Sequence, residues 1–271
     1  MQIANIYLSL VSLCAASFYI LGVILQWLRI TGKVISKKIV LGLITLGAIL
    51  QAFSLIYYII SPNGIMLNFF TTGSLCGFVI VIIVLLSSIT KPLENIFAIL
   101  LPFVVLSIGL TWAVRGPQDL ITHLNHGIIF HIIISVLAYS TLSIATLQAC
   151  LLGFQEYTLK HHKPSRILKI FPPVETMERL LFEFIFAGMI LLTLSLLSGF
   201  VYFKDLIIHH ISHASVLALI SWFIFGVLLL GRYRWGWRGK TAIQWTLIGF
   251  IMLMLAYFGS KLIMDMVFLQ A

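Results

Sequence analysis

Eight apolar stretches, each long enough to cross a bilayer and joined by short polar connections, decide what this chain can fold into. They run roughly over 3–27, 39–60, 69–89, 95–114, 127–154, 179–203, 212–230 and 243–264. About 20 apolar residues carry a helix across the hydrocarbon core. Only helices or a closed barrel satisfy the backbone there, and these runs lack the alternating pattern of barrel strands. The charged fraction agrees: 9%, where a soluble domain carries about 25%. The expected fold is therefore all-α, a polytopic transmembrane helical bundle of about eight spans, forming a single integral membrane domain over 1–271. The first stretch has no basic residue before it and no cleavage site leading into a soluble domain, so it reads as a retained helix rather than a signal peptide.

The Lys and Arg residues orient the bundle. Fourteen of the seventeen fall on one side: Arg29, Lys33, Lys37, Lys38, Lys91, Lys160, Lys163, Arg166, Lys169, Arg179, Arg232, Arg234, Arg238 and Lys240. Arg115, Lys204 and Lys261 fall on the other. The basic side is expected in the cytoplasm, which puts both termini in the periplasm of a bacterial inner membrane. The formal charge of +9 has the same origin. These loops suit anionic lipid headgroups, at about 1 kcal/mol per residue near the surface, so membrane lipids are expected partners. No nucleic acid is expected, because the basic residues are split among short loops and form no domain. RYRWGWRGK mixes Arg with Trp, but Trp at a membrane interface is belt chemistry.

Cys14, Cys76 and Cys150 lie within spans and form no CxxC or CxxCH, so they read as small packing residues. Pro172–Pro173 suits a turn and a helix start. Glu175 and Glu178 follow in the first turn of the sixth span, where carboxylates favour the positive helix end. Glu183 lies one turn further in and can pair with Arg179 at i,i+4.

Six of the eight histidines fall in two stretches, THLNHGIIFH (His123, His126, His131) and IIHHISH (His209, His210, His213). Both lie on the outer side. Neutral imidazole is a common metal ligand, and haem iron accepts it axially. His131 stands inside the fifth span, where an unpartnered polar group is costly. Its candidate hydrogen-bond partners are Ser135, Tyr139 and Tyr202. One histidine from each cluster suits bis-imidazole haem ligation, and the same clusters suit a multi-histidine site for another metal. His161 and His162, on the basic side, read as solvated loop residues.

Three stretches carry a family resemblance. HIIISVLAYSTLSIATLQACLL begins with His131 and has Tyr139 eight residues on. PPVETMERLLFEFIFAGMILLTLSLLSGF contains Glu175, Gly188, Thr193 and Gly199. SWFIFGVLLLGRYRWGWRGKTAIQWTLIGFIMLMLAYFGSKLI contains Trp222, the WRG at 237–239, Gly249 and the YFG at 257–259. The chain resembles the cytochrome c assembly superfamily, the haem-handling group that includes CcsA and CcmC, most strongly over 120–263. The resemblance implies a non-enzymatic haem-binding protein of cytochrome c maturation, with haem b as cofactor and other membrane or cytochrome-maturation proteins as partners. In characterised members a tryptophan-rich periplasmic segment cradles the haem and histidines on flanking helices ligate its iron. His131 takes the place of the first ligand. The tryptophan-rich segment is absent here, and IIHHISHAS stands in its place. The histidine that follows the family's last helix is also absent, where this chain reads KLIMDMVFLQA. The resemblance then leaves His213, or its neighbours His209 and His210, for the second ligand. His126, in the first cluster, is a further candidate ligand, and Trp112 is a candidate for the pocket lining. The competing reading is a metal-ion or small-solute transporter, or its accessory subunit, using the same histidines.

Overall fold

The computed structural model describes residues 2–61, 64–113, 120–121, 126–161, 171–202 and 213–259. Among them are eight helices long and apolar enough to cross a membrane. They are α1 (Gln2–Ile30), α2 (Lys37–Ile59), α3 (Phe69–Thr90), α4 (Phe97–Ala113), α5 (His126–Lys160), α6 (Val174–Tyr202), α7 (His213–Trp235) and α8 (Gly239–Met254). A π-helical turn, Leu255–Gly259, extends α8. The all-α bundle expected from the apolar runs is present. One addition was not foreseen: a small antiparallel sheet ordered β1 (Ile60–Ser61), β2 (Gly64–Met66) and β3 (Leu120–Ile121).

The described helices gather into two compact units, α1–α4 with the sheet and α5–α8. In the first, α1 packs on α2 and α4, and α3 on α4. Helix α3 starts where Asn68 caps it, its Oδ1 accepting from the Thr71 N–H at 2.7 Å, as short polar caps do. Gly47 lets α1 and α2 close: a Cβ there would stand 3.0 Å from the fully buried Tyr19 ring. At one end of this unit Glu94, in the short 3-10 turn before α4, draws in Arg29 at 3.6 Å and Lys37 at 3.2 Å. The end of α1 and the start of α2 are thereby held beside the α3–α4 connection.

In the second unit α5, of 35 residues, packs along α6 and also meets α8. Helix α6 begins after the proline pair, with the Thr176 and Met177 N–H groups donating to the Pro173 carbonyl. Gly188 permits the close approach to α5, since a Cβ there would lie 2.6 Å from Leu142 Cδ2. Trp222 of α7 donates from Nε1 to Thr193 Oγ1 of α6 at 2.8 Å. Tyr139 of α5 packs against Phe250, Tyr257 and Phe258. Several residues that carried the family resemblance, Tyr139, Gly188, Thr193 and Trp222, thus stand at the contacts between these helices. Trp222→Phe keeps an aromatic ring and removes the N–H with the five-membered half of the indole. It is expected to cost about 1 kcal/mol, readable as a thermal midpoint lowered by about 2–4 °C in detergent.

Candidate functional site

One end of the second unit holds His131. It lies in the second turn of α5, half-buried against α6. Its imidazole fits there because position 199 is glycine: a Cβ would come within 3.1 Å of His131 Cε1. Ring Nδ1 is 3.1 Å from the Ser195 carbonyl oxygen and 2.9 Å from Ser198 Oγ. A carbonyl can only accept, and Ser198 Oγ already donates its proton to that same carbonyl at 2.9 Å. Both neighbours therefore require Nδ1 to donate. The neutral ring is then the Nδ1–H tautomer, and its lone pair lies on Nε2. Ser135 Oγ stands 3.4 Å from Nε2 and 2.7 Å from both the His131 carbonyl and Ser195 Oγ, and its one proton is shared among these acceptors.

The three serines sit where they do for helical reasons. Ser135 is four residues after His131, and Ser195 and Ser198 are three apart, so each pair shares a face. A buried hydroxyl near a histidine in a membrane helix relieves the cost of burying either. A backbone carbonyl that holds one ring nitrogen while the other faces a metal is the usual setting of ligand histidines.

Of the expected partners of His131, Ser135 is in reach. Ser195, Ser198 and Gly199 supply the rest, and only Gly199 had been singled out. The SxxSG pattern near the end of α6 is the sequence signal that could have found them. His126 is the first residue of α5 and is exposed. His213 is the first residue of α7, with its side chain outside the described residues. His209 and His210 lie outside the described residues, as do His123 and His162. Trp112 belongs to the first unit, where its exposed indole donates from Nε1 to Ser9 Oγ at 2.9 Å. His161 ends the helical register of α5, exposed, with Nδ1–H donating to the Tyr157 carbonyl at 2.8 Å. No three His, Cys, Asp or Glu side chains gather into a metal-binding group among the described residues.

The opposite end of the unit carries a second polar constellation. Glu178 was read as a first-turn carboxylate serving α6. In the structure it is buried and accepts from Arg238 Nε and from the Gly239 N–H, both at 2.8 Å. The hydrogen bond to Glu178 and then its charge hold the Arg238 guanidinium above its ordinary pKa. Gly239 opens α8 at φ +52°, a conformation that favours glycine. Glu156 of α5 reaches the same turn, 3.0 Å from where a Gly239 Cβ would stand. Arg232 lies over the Phe182 ring and donates to the Trp237 carbonyl. Arg179 and Glu183 form the expected i,i+4 pair, at 3.7 Å.

The family described as Cytochrome C assembly protein matches residues 4–267. The Inner membrane protein YpjD of Escherichia coli K12 is 36% identical over 162 residues, covering 59% of this chain and 61% of that protein. The chain therefore matches less than two thirds of the length of this curated relative. An uncharacterized 28.8 kDa protein of Azospirillum brasilense, encoded in a nifR3-like 5' region, is 30% identical over 186 residues, 66% of this chain and 68% of that one. No solved structure matches. With a match over nearly its whole length, the chain belongs to the cytochrome c assembly protein family.

Proposed function

We propose that this protein is a non-enzymatic, haem-binding inner-membrane protein of the cytochrome c assembly type. It holds haem at the periplasmic face, with His131 as one axial ligand and His213 or its neighbours His209 and His210 as the source of the other. The observation that carries this reading is the clamp on His131 Nδ1 by Ser195 and Ser198, which fixes one tautomer and one orientation of an imidazole near the end of a membrane-length helix. The donor set suits haem iron, which takes neutral imidazole axially. When bound, haem would supply the iron centre. The residues of this chain orient and retain it: Ser195 and Ser198 set the tautomer, and Gly199 gives the ring its place. The inner-membrane location is supported by the name of the Escherichia coli relative, and the outward-facing termini by the excess of Lys and Arg on the opposite side.

The test is a visible absorption spectrum of full-length protein purified in detergent from haem-replete cells. Six-coordinate bis-histidine bands are expected, and His131→Ala should abolish them. Ser198→Ala, which keeps the ligand and the Ser195 carbonyl, should retain the bands with weaker haem retention. A wild-type protein that is folded and colourless under these conditions would overturn the proposal.

A further inference from the structure

The first unit contains a polar cluster that the haem reading does not use. It lies among helices long and apolar enough to cross a membrane, where buried polar groups are expensive and usually have a purpose. Tyr19 OH of α1 donates to Gln51 Oε1 of α2 at 2.7 Å. Gln51 Nε2 donates to the carbonyl and to Oγ of Ser74 in α3, both at 3.2 Å. Ser12 and Ser54 share a hydrogen bond of 2.7 Å between α1 and α2. Thr111 of α4 donates back to the Ser107 carbonyl at 2.8 Å. Ser12, Gln51, Ser54, Ser74 and Thr111 are all buried, and all line one cavity of about 10 Å³.

The protons in this cluster do not balance. A serine hydroxyl has one proton to give and two lone pairs. The Ser12–Ser54 pair has two protons and uses one between its members. Ser74 Oγ accepts from Gln51, and its own proton has no acceptor among the described residues. Two hydroxyl protons therefore remain unused at a small cavity that Tyr58 also lines, beside oxygens of Gln51 and Thr111 with lone pairs to spare. That mixture of donors and acceptors discriminates among occupants. A cation would be met by hydroxyl protons that need an acceptor. An apolar occupant would leave them unpaired, at the cost of burying an unsatisfied donor. An occupant that accepts two hydrogen bonds satisfies them. The space suits a single water, which needs about 10–15 Å³ and two to four polar partners.

The geometry points to an internal water site in the first unit: one water accepting from Ser74 and from the Ser12–Ser54 pair, at the point where α1, α2, α3 and α4 all contribute polar side chains. This site is independent of His131 and of any haem.

X-ray hydroxyl-radical footprinting of the full-length protein in detergent tests it, because radicals formed from a bound water label the side chains beside it. Leu55 and Ile108 line the cavity and are buried. Phe97 and Leu101 are buried in the same unit and do not line it. Labelling of Leu55 and Ile108, with none at Phe97 and Leu101, is the expected result. Ser54→Val, which fills the space, should abolish that labelling, and Ser74→Val serves the same end if the first variant fails to fold. Unlabelled Leu55 and Ile108 in the wild type would overturn the proposal. So would a thermal midpoint that rises when sodium chloride replaces choline chloride at equal ionic strength, which would assign the site to a cation.

Discussion

Gly188→Leu should lower the thermal midpoint of the detergent-solubilised protein by about 6–12 °C and loosen His131 with it. Position 188 is where α6 comes closest to α5. Even a methyl group there would stand 2.6–2.7 Å from Leu142 Cδ2 and Cγ, and Leu142 is fully buried with no space to retreat into. Overpacking of this kind costs about 1–3 kcal/mol and sometimes more. Leucine, with four added carbons, belongs at the upper end. A chain of this size loses about 2–4 °C per kcal/mol. The clamp on His131 is built across the same helix pair, from Ser195 and Ser198 of α6 to a ring on α5. Prising the pair apart should therefore reduce haem retention as well as stability, and Gly188→Ala should show a smaller loss of both. Differential scanning fluorimetry beside the absorption spectrum reads the two effects on one sample. An unchanged midpoint would mean that α5 and α6 are not packed as described.

Glu178→Ala should cost about 4–8 °C, at the other end of the unit. The buried carboxylate accepts the first N–H of α8, a donor with no intrahelical partner. A hydrogen bond from an amide to a charged acceptor contributes about 2 kcal/mol, which sets this range through the same conversion. Glu178→Gln keeps an oxygen for the Gly239 N–H and should recover most of the loss. If Ala and Gln variants melt together, the attraction between Arg238 and Glu178, rather than the capping bond, holds the turn. The loss should not be accompanied by a change in the haem bands, because no residue of the His131 clamp touches this turn.

The spans were legible because each is a single long-range-independent property, roughly 20 apolar residues in a row. The boundaries moved where polar residues continue a helix beyond the hydrocarbon. Helix α5 runs on through Gln155–Lys160, good helix formers that hydropathy alone does not count. The α8 start at Gly239 rather than 243 follows from the two left-handed glycines of the turn, Gly236 and Gly239. The three-stranded sheet was invisible, since strands of two or three residues leave no periodicity to read. The role of Glu178 was hidden for another reason. Its partner lies 60 residues away in the chain, and nothing local distinguishes a cap from a cross-helix tie. His131 stood out because an ionisable group inside an apolar run is conspicuous. The serines that fix its tautomer did not, because serine in a membrane helix usually bonds only its own backbone, as Thr141, Ser143, Thr146 and Thr158-type hydroxyls do here.

At 1.5 Å per residue α5 is about 50 Å long, some 20 Å more than the hydrocarbon thickness of an ordinary bilayer, about 30 Å. The surplus is close to four helical turns, and how it divides between the two ends sets the depth of everything the helix carries. His131 is five residues from the start of α5, so a vertical slip of one turn, 5.4 Å, carries its ring between the acyl chains and the headgroups. The helix is a depth gauge: in thick and thin membranes the same clamp presents the same imidazole to different surroundings.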